Sequence, residues 1–204
     1  MKEKYIEDLK EIKDMMSRSS RFISLSGLSG ISAGIIAIFG AYLAYETVYT
    51  NQDYLGYRQA VLTDNSILQL ILIAMSTLIL TIVTGIYFTT RETKKKNLNV
   101  WDQQTKRLLI NLIIPLATGG ILCLMLLFRG YIGLIAPLTL IFYGLALFNA
   151  SKYTLNEIRS LGILEIILGL IAVQYIGFGL LFWVIGFGAL HIIYGAIMYK
   201  KYES

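Results

Sequence analysis

The chain has 204 residues, 56% of them hydrophobic and 15% charged, whereas a soluble domain carries about 25% charged residues. Its net charge of +5 is confined to short stretches between long apolar runs. That distribution excludes an ordinary soluble domain and argues against nucleic acid as a partner. The runs are continuously apolar over about 20 residues, the length of a helix crossing a bilayer of about 30 Å, and they lack the alternation of a membrane barrel. The fold class expected is all-α: an integral membrane bundle of about six transmembrane helices arranged as three hairpins, preceded by an amphipathic helix.

Residues 1–21 carry six basic and five acidic side chains, a mixture unlike a cleavable secretory leader. Tyr5, Leu9, Ile12 and Met16 recur at spacings of three and four, the pattern of an amphipathic helix. Such a helix lies on the inner membrane surface, packs under the bundle, or docks a cytosolic protein or a second copy of the chain. Two units follow: 1–21 as a cytoplasmic or interfacial helix, and 22–204 as a six-helix transmembrane domain.

The spans are placed at about 24–46, 67–90, 108–128, 131–150, 161–177 and 179–199. Lys and Arg number sixteen in the N-terminal segment, 91–107, 151–160 and the tail, against Arg58 and Arg129 alone in the alternate connections. The richer set is cytoplasmic by the positive-inside rule, so both termini lie inside a cell inner (plasma) membrane. The bilayer itself is the expected partner.

In the first span Gly27, Gly30, Gly34, Ala37, Ala41 and Ala44 form one small-residue stripe, which lets a second helix approach closely. Glu46 follows near the outer end, beside Tyr42, Tyr45 and Tyr49; the group is an interfacial aromatic belt or an outward pocket with Glu46 as its acid. Thr77, Thr81 and Thr84 line the second span. Lys94, Lys95 and Lys96 mark its inner end and suit anionic head groups. Trp101 and Trp183 read as interfacial anchors. Pro115 and Pro137, in spans three and four, each remove a helix hydrogen bond and are candidate kinks. The connections at Arg129-Gly130 and Gly177-Phe178-Gly179 are short enough to require tight hairpins.

The last hairpin holds the sharpest feature. Thr154-Leu155-Asn156-Glu157 has the form of a capping box opening the fifth helix, which carries Glu165 about 6 Å into the hydrocarbon beyond Leu161. In an antiparallel hairpin centred near residue 178, residue numbers adding to about 356 lie at equal depth, and Glu165 and His191 do so. Gly162 and Gly169 flank Glu165 on its stripe, and Gly188 and Gly195 flank His191. Facing glycine stripes would bring carboxyl and imidazole together. Ionisable groups are expensive inside a membrane and mark either an interhelical clamp or a site for a proton, ion or substrate.

Ser19-Ser20-Arg21-Phe22 running into Leu25-Ser26-Gly27-Leu28-Ser29-Gly30, and His191-Ile192-Ile193-Tyr194-Gly195, resemble small bacterial six-helix inner-membrane proteins over the whole chain. The resemblance implies the fold and attaches no chemistry to these motifs. An oxygenase iron held by several histidines is excluded by the single His191. No phosphate loop, nucleophile triad or haem motif stands in the sequence, so no cofactor, metal or enzymatic activity is expected. The functional expectation is a noncatalytic membrane protein with a regulatory, scaffolding or lipid-sensing role. A small transporter or channel subunit built on Glu165 and His191 is the alternative.

Overall fold

The computed structural model describes residues 25–54, 57–60, 63–96, 101 and 103–203, together with the helical positions Tyr5, Ile6, Asp8, Leu9 and Ile12. Tyr5, Leu9 and Ile12, the first three residues of the expected N-terminal apolar stripe, are helical and exposed. Met16 and the Ser19–Phe22 motif lie outside the described residues.

Six helices follow. They are α1 (Gly27–Val48), α2 (Asp64–Lys95), α3 (Gln103–Phe128), α4 (Ile135–Ala150), α5 (Asn156–Gln174) and α6. The last runs through Gly179–Trp183, a π-helical stretch Val184–Leu190, and His191–Tyr202. Among the described residues, five helical stretches are long and apolar enough to cross a membrane: Gly27–Val48, Asp64–Lys95, Gln103–Phe128, Ile132–Tyr153 and Ile176–Tyr202. The sixth, α5, is shorter and carries Glu157, Arg159 and Glu165. The fold is otherwise helical, as expected; a short antiparallel hairpin, β1 (Tyr49–Tyr54) with β2 (Tyr57–Ala60), joins α1 to α2.

Local chemistry sets the helix ends. Thr63 caps α2, its hydroxyl accepting from the Ser66 amide at 3.2 Å while the Ser66 hydroxyl accepts from the Thr63 amide at 2.6 Å. This reciprocal cap satisfies two of the amides that a helix start leaves open. After α3 the chain reverses through Gly130 at φ 83°, a left-handed conformation that glycine adopts without Cβ strain. The amides of Gly130 and Tyr131 return to the carbonyls of Leu127 and Leu126, as expected for a helix end closed by a left-handed residue. The cap position of α5 falls at Leu155, one residue beyond the Thr154 expected from the sequence, and the Glu157 carboxylate is engaged by Lys201 and Tyr202.

Pro137 also differs from expectation. It lies in the first turn of α4, where no intrahelical amide bond is required, so it starts the helix rather than kinking it. Pro115 sits within α3, which continues through it to Phe128.

Packing follows the hairpins only in part. α1 lies against α2 and along α6, α4 lies between α3 and α5, and α6 connects the two groups by touching α4 and α5 as well. The small-residue stripe of α1 faces α6: a methyl on Gly34 would lie 2.6 Å from the Gly188 carbonyl, and one on Gly195 would lie 2.6 Å from the Ile31 amide. On the other side, Gly40 meets the Thr77 side chain of α2.

The start of α1 and the C-terminal end of α6 meet at one end of the bundle. Glu203 accepts from the Gly27 amide and from the Ser26 hydroxyl, binding the C-terminus to the start of α1. The Lys96 ammonium reaches the Tyr202 carbonyl at 3.3 Å. At this end Leu147, Leu155, Ile158, Leu161 and Met198 form a buried cluster. The turns after α3 and α5 meet at the opposite end, where Gly133 faces Ile176. Apolar faces remain uncovered on the flanking helices, at Leu72, Ile79 and Ile86 of α2 and at Ile114, Ile121 and Phe128 of α3.

Candidate functional site

Glu165 and His191 meet. The Glu165 Oε1 stands 3.5 Å from the His191 Nδ1, and the residues are 0% and 7% exposed. The glycine stripes that flank them do not face each other, contrary to the sequence expectation. Gly162 and Gly169 pack on α4, where methyls would crowd the Gly144 carbonyl at 2.8 Å and the Ile141 side chain at 2.6 Å. Gly188 and Gly195 pack on α1. The physical reason is that a glycine stripe welds to whichever helix offers backbone at short range. For α5 that helix is α4, and for α6 it is α1.

What brings the pair together is Gly186, in the π-helical stretch of α6. A Cβ on Gly186 would strike the Glu165 Oε2 and lie 2.5 Å from the Leu140 Cδ2 of α4. Hydrogen at that position gives the carboxyl its space. The Gly186 carbonyl also lies 3.0 Å from the His191 Nδ1. A carbonyl only accepts, so Nδ1 carries a hydrogen. On the far side of the ring, Nε2 lies 2.7 Å from the Tyr143 hydroxyl of α4; Nε2 accepts from it when the ring is neutral and donates to it when the ring is protonated. The histidine thereby connects α4 to α6, with Glu165 of α5 between them.

Aromatic rings enclose the imidazole. Phe187 stacks on it at 5.9 Å between centroids, Tyr143 lies 5.3 Å away, and Trp183 packs tilted against Phe187 at 4.7 Å. Trp183, Phe187 and His191 recur at spacings of four, a signal that reading Trp183 as an interfacial anchor passed over. Tyr143 was also missed, because nothing in a hairpin count points from α4 to α6.

Neither Glu165 oxygen has a hydrogen-bond partner among the described residues. The nearest donor, His191 Nδ1–H, is directed to Gly186. An ionised carboxylate without donors in an apolar interior bears a large desolvation penalty. Buried polar groups are nearly always satisfied, so an exception marks strain or an absent ligand. π-Helical turns also concentrate at functional sites.

The remaining candidates do not join this cluster. Glu46 is exposed near the end of α1, with Tyr42 exposed and Tyr45 half-buried beside it. The side chains of Tyr49, Tyr54 and Tyr57 lie outside the described residues, and so does any outward pocket they form. Pro115 lies on α3, away from the pair; Pro137 is buried near Gly169 and Gly179. Trp101 is exposed, and Cys123 is buried with a free thiol. No group of three or more His, Cys, Asp or Glu able to hold a metal occurs among the described residues. At the basic end, Glu157 accepts from the Lys201 ammonium at 2.6 Å and from the Tyr202 hydroxyl at 3.1 Å. Partial burial alone would raise the Glu157 carboxyl, but these donors outweigh it and hold the group below the usual carboxylate range.

No family model, curated protein or solved structure matches the chain.

Proposed function

We propose that the chain is a noncatalytic multi-pass integral membrane protein of a bacterial inner membrane, with both termini cytoplasmic and a regulatory or scaffolding role. Uncovered apolar faces on α2 and α3 support membrane embedding, since water-soluble monomers rarely expose such continuous surface. The meeting of the basic tail with the start of α1 at one bundle end agrees with the charge bias that orients the chain.

The observation that carries the scaffolding role is the close packing at Glu165 and His191, where a single methyl at Gly186 would already collide with the carboxyl. The junction ties α4, α5 and α6 together across helices whose glycine stripes are committed to different neighbours. Residues 1–21 supply the surface for a cytosolic partner or a second copy.

A small transporter is the second reading, favoured by the two unpartnered Glu165 oxygens. Proton and ion flux in proteoliposomes separates the two. The scaffold requires wild type, Glu165→Gln and His191→Ala all to leak no faster than empty vesicles. Flux in wild type that both variants abolish establishes transport and removes the scaffold reading.

A further inference from the structure

We infer that Glu165 is a proton-binding site coupled to the π-helical stretch of α6: it carries a proton in this conformation, and losing it moves the Nδ1–H of His191 from the Gly186 carbonyl to the carboxylate. The inference rests on the membrane-embedded reading and is independent of the scaffolding role.

The argument begins with donors. The helices packed against the carboxyl bring Tyr143 from α4 and His191 from α6 as their titratable groups. Tyr143 is engaged with Nε2, and the Nδ1–H is engaged with Gly186 at 3.0 Å, the shorter of its two contacts. Glu165 therefore has no donor to offset a full charge, and a proton on the carboxyl removes that charge. A metal cation is a poor alternative. It needs several oxygen ligands around it, and the space beyond Oε2 is filled by Gly186 and the Leu140 methyl. A proton takes up no such space.

Release follows from the same geometry. When the carboxyl passes its proton to water during a transient opening, the carboxylate needs a donor at once. His191 Nδ1–H is 3.5 Å away and only has to turn from one acceptor to the other. The Gly186 carbonyl then loses its side-chain partner within the π-helical stretch Val184–Leu190, a turn held by i to i+5 bonding. Proton occupancy at α5 thus sets which acceptor the His191 Nδ1–H holds, the Gly186 carbonyl of the π-helical stretch or the carboxylate.

His191 is the sole histidine, so its imidazole can be read without assignment. The test uses full-length protein in lipid nanodiscs, in buffer that ionises surface carboxylates. Infrared spectra are expected to contain a carboxylic-acid carbonyl band that Glu165→Gln removes. Nitrogen NMR of wild type is expected to give a neutral ring protonated at Nδ1, with an Nε2 signal that shifts in Tyr143→Phe. On raising pH, loss of the acid band and displacement of the Nδ1 signal should share one midpoint. An imidazolium spectrum in wild type, with no acid band assignable to Glu165, overturns the proposal in favour of an ion pair. Separate midpoints overturn the coupling. If Glu165→Gln does not fold, carbon-13 glutamate labelling of wild type shifts the same band, and the imidazole signal needs no variant. Flux results do not enter these readouts. Failure of the membrane reading would show instead as protein that does not enter the nanodiscs.

Discussion

The Glu165 carboxyl lies 3.5 Å from His191 Nδ1 although the helices bearing them commit their glycines to different neighbours, α5 to α4 and α6 to α1. A polar contact therefore bridges a place where backbone packing does not. In lipid, interhelical polar contacts are worth about 0.6 kcal/mol on average and about 2 at most, so this contact steers the arrangement more than it holds the bundle together.

That range sets the result of a double-mutant cycle. Glu165→Gln, His191→Gln and the double variant, unfolded in detergent at a pH above the loss of the Glu165 proton, are expected to give a coupling of about 0.5–2 kcal/mol. Additive effects there would mean that the carboxylate does not take the Nδ1–H.

Gly186 is the most sensitive position near the pair. Gly186→Ala places a methyl against the Glu165 Oε2 and the Leu140 side chain, and overpacking of this kind costs about 1–3 kcal/mol. The Glu165→Gly, Gly186→Ala double variant should recover much of the loss, because the colliding carboxyl is gone. Unchanged thermal stability in Gly186→Ala would mean that the junction is looser than described.

Two glycines elsewhere form a matched contrast. Gly34→Ala meets the Gly188 carbonyl and the Ile192 side chain, both at 2.6 Å, and should lower the melting temperature by pushing α1 from α6. Gly120→Ala meets nothing within 4 Å and should be neutral or gain up to about 1 kcal/mol from helix propensity. Melting curves on both variants, side by side, check the α1–α6 contact.

The Glu157 contacts predict a pH dependence at the basic end. Its carboxyl is held below its unfolded value, so its contribution is present above that value and is lost as pH falls through the lower, folded one. Wild type should therefore exceed Glu157→Gln in thermal stability near neutrality, and the difference should vanish on acidification through the carboxylate range. Because Lys201 is largely exposed, added salt should shrink the difference as well. A gap that is constant with pH would rule out an ionic origin.

Hydropathy and charge placement, read from the sequence alone, were enough to locate the six helices, five of them long and apolar enough to cross a membrane, the tight reversals at Arg129-Gly130 and near Gly177, and the matching level of Glu165 and His191 along their helices. These are properties of a segment and its flanks: helical rise and hydrocarbon solubility do not depend on which neighbour a helix chooses. The choice of neighbour was decided only in three dimensions. Gly162 and Gly188 look alike in sequence, yet one rests on α4 and the other on α1, because backbone contact depends on the shape presented opposite. The π-helical turn, the Tyr143 bond across from α4 and the carboxyl left without a donor are consequences of that choice, and a chain read one helix at a time does not contain them.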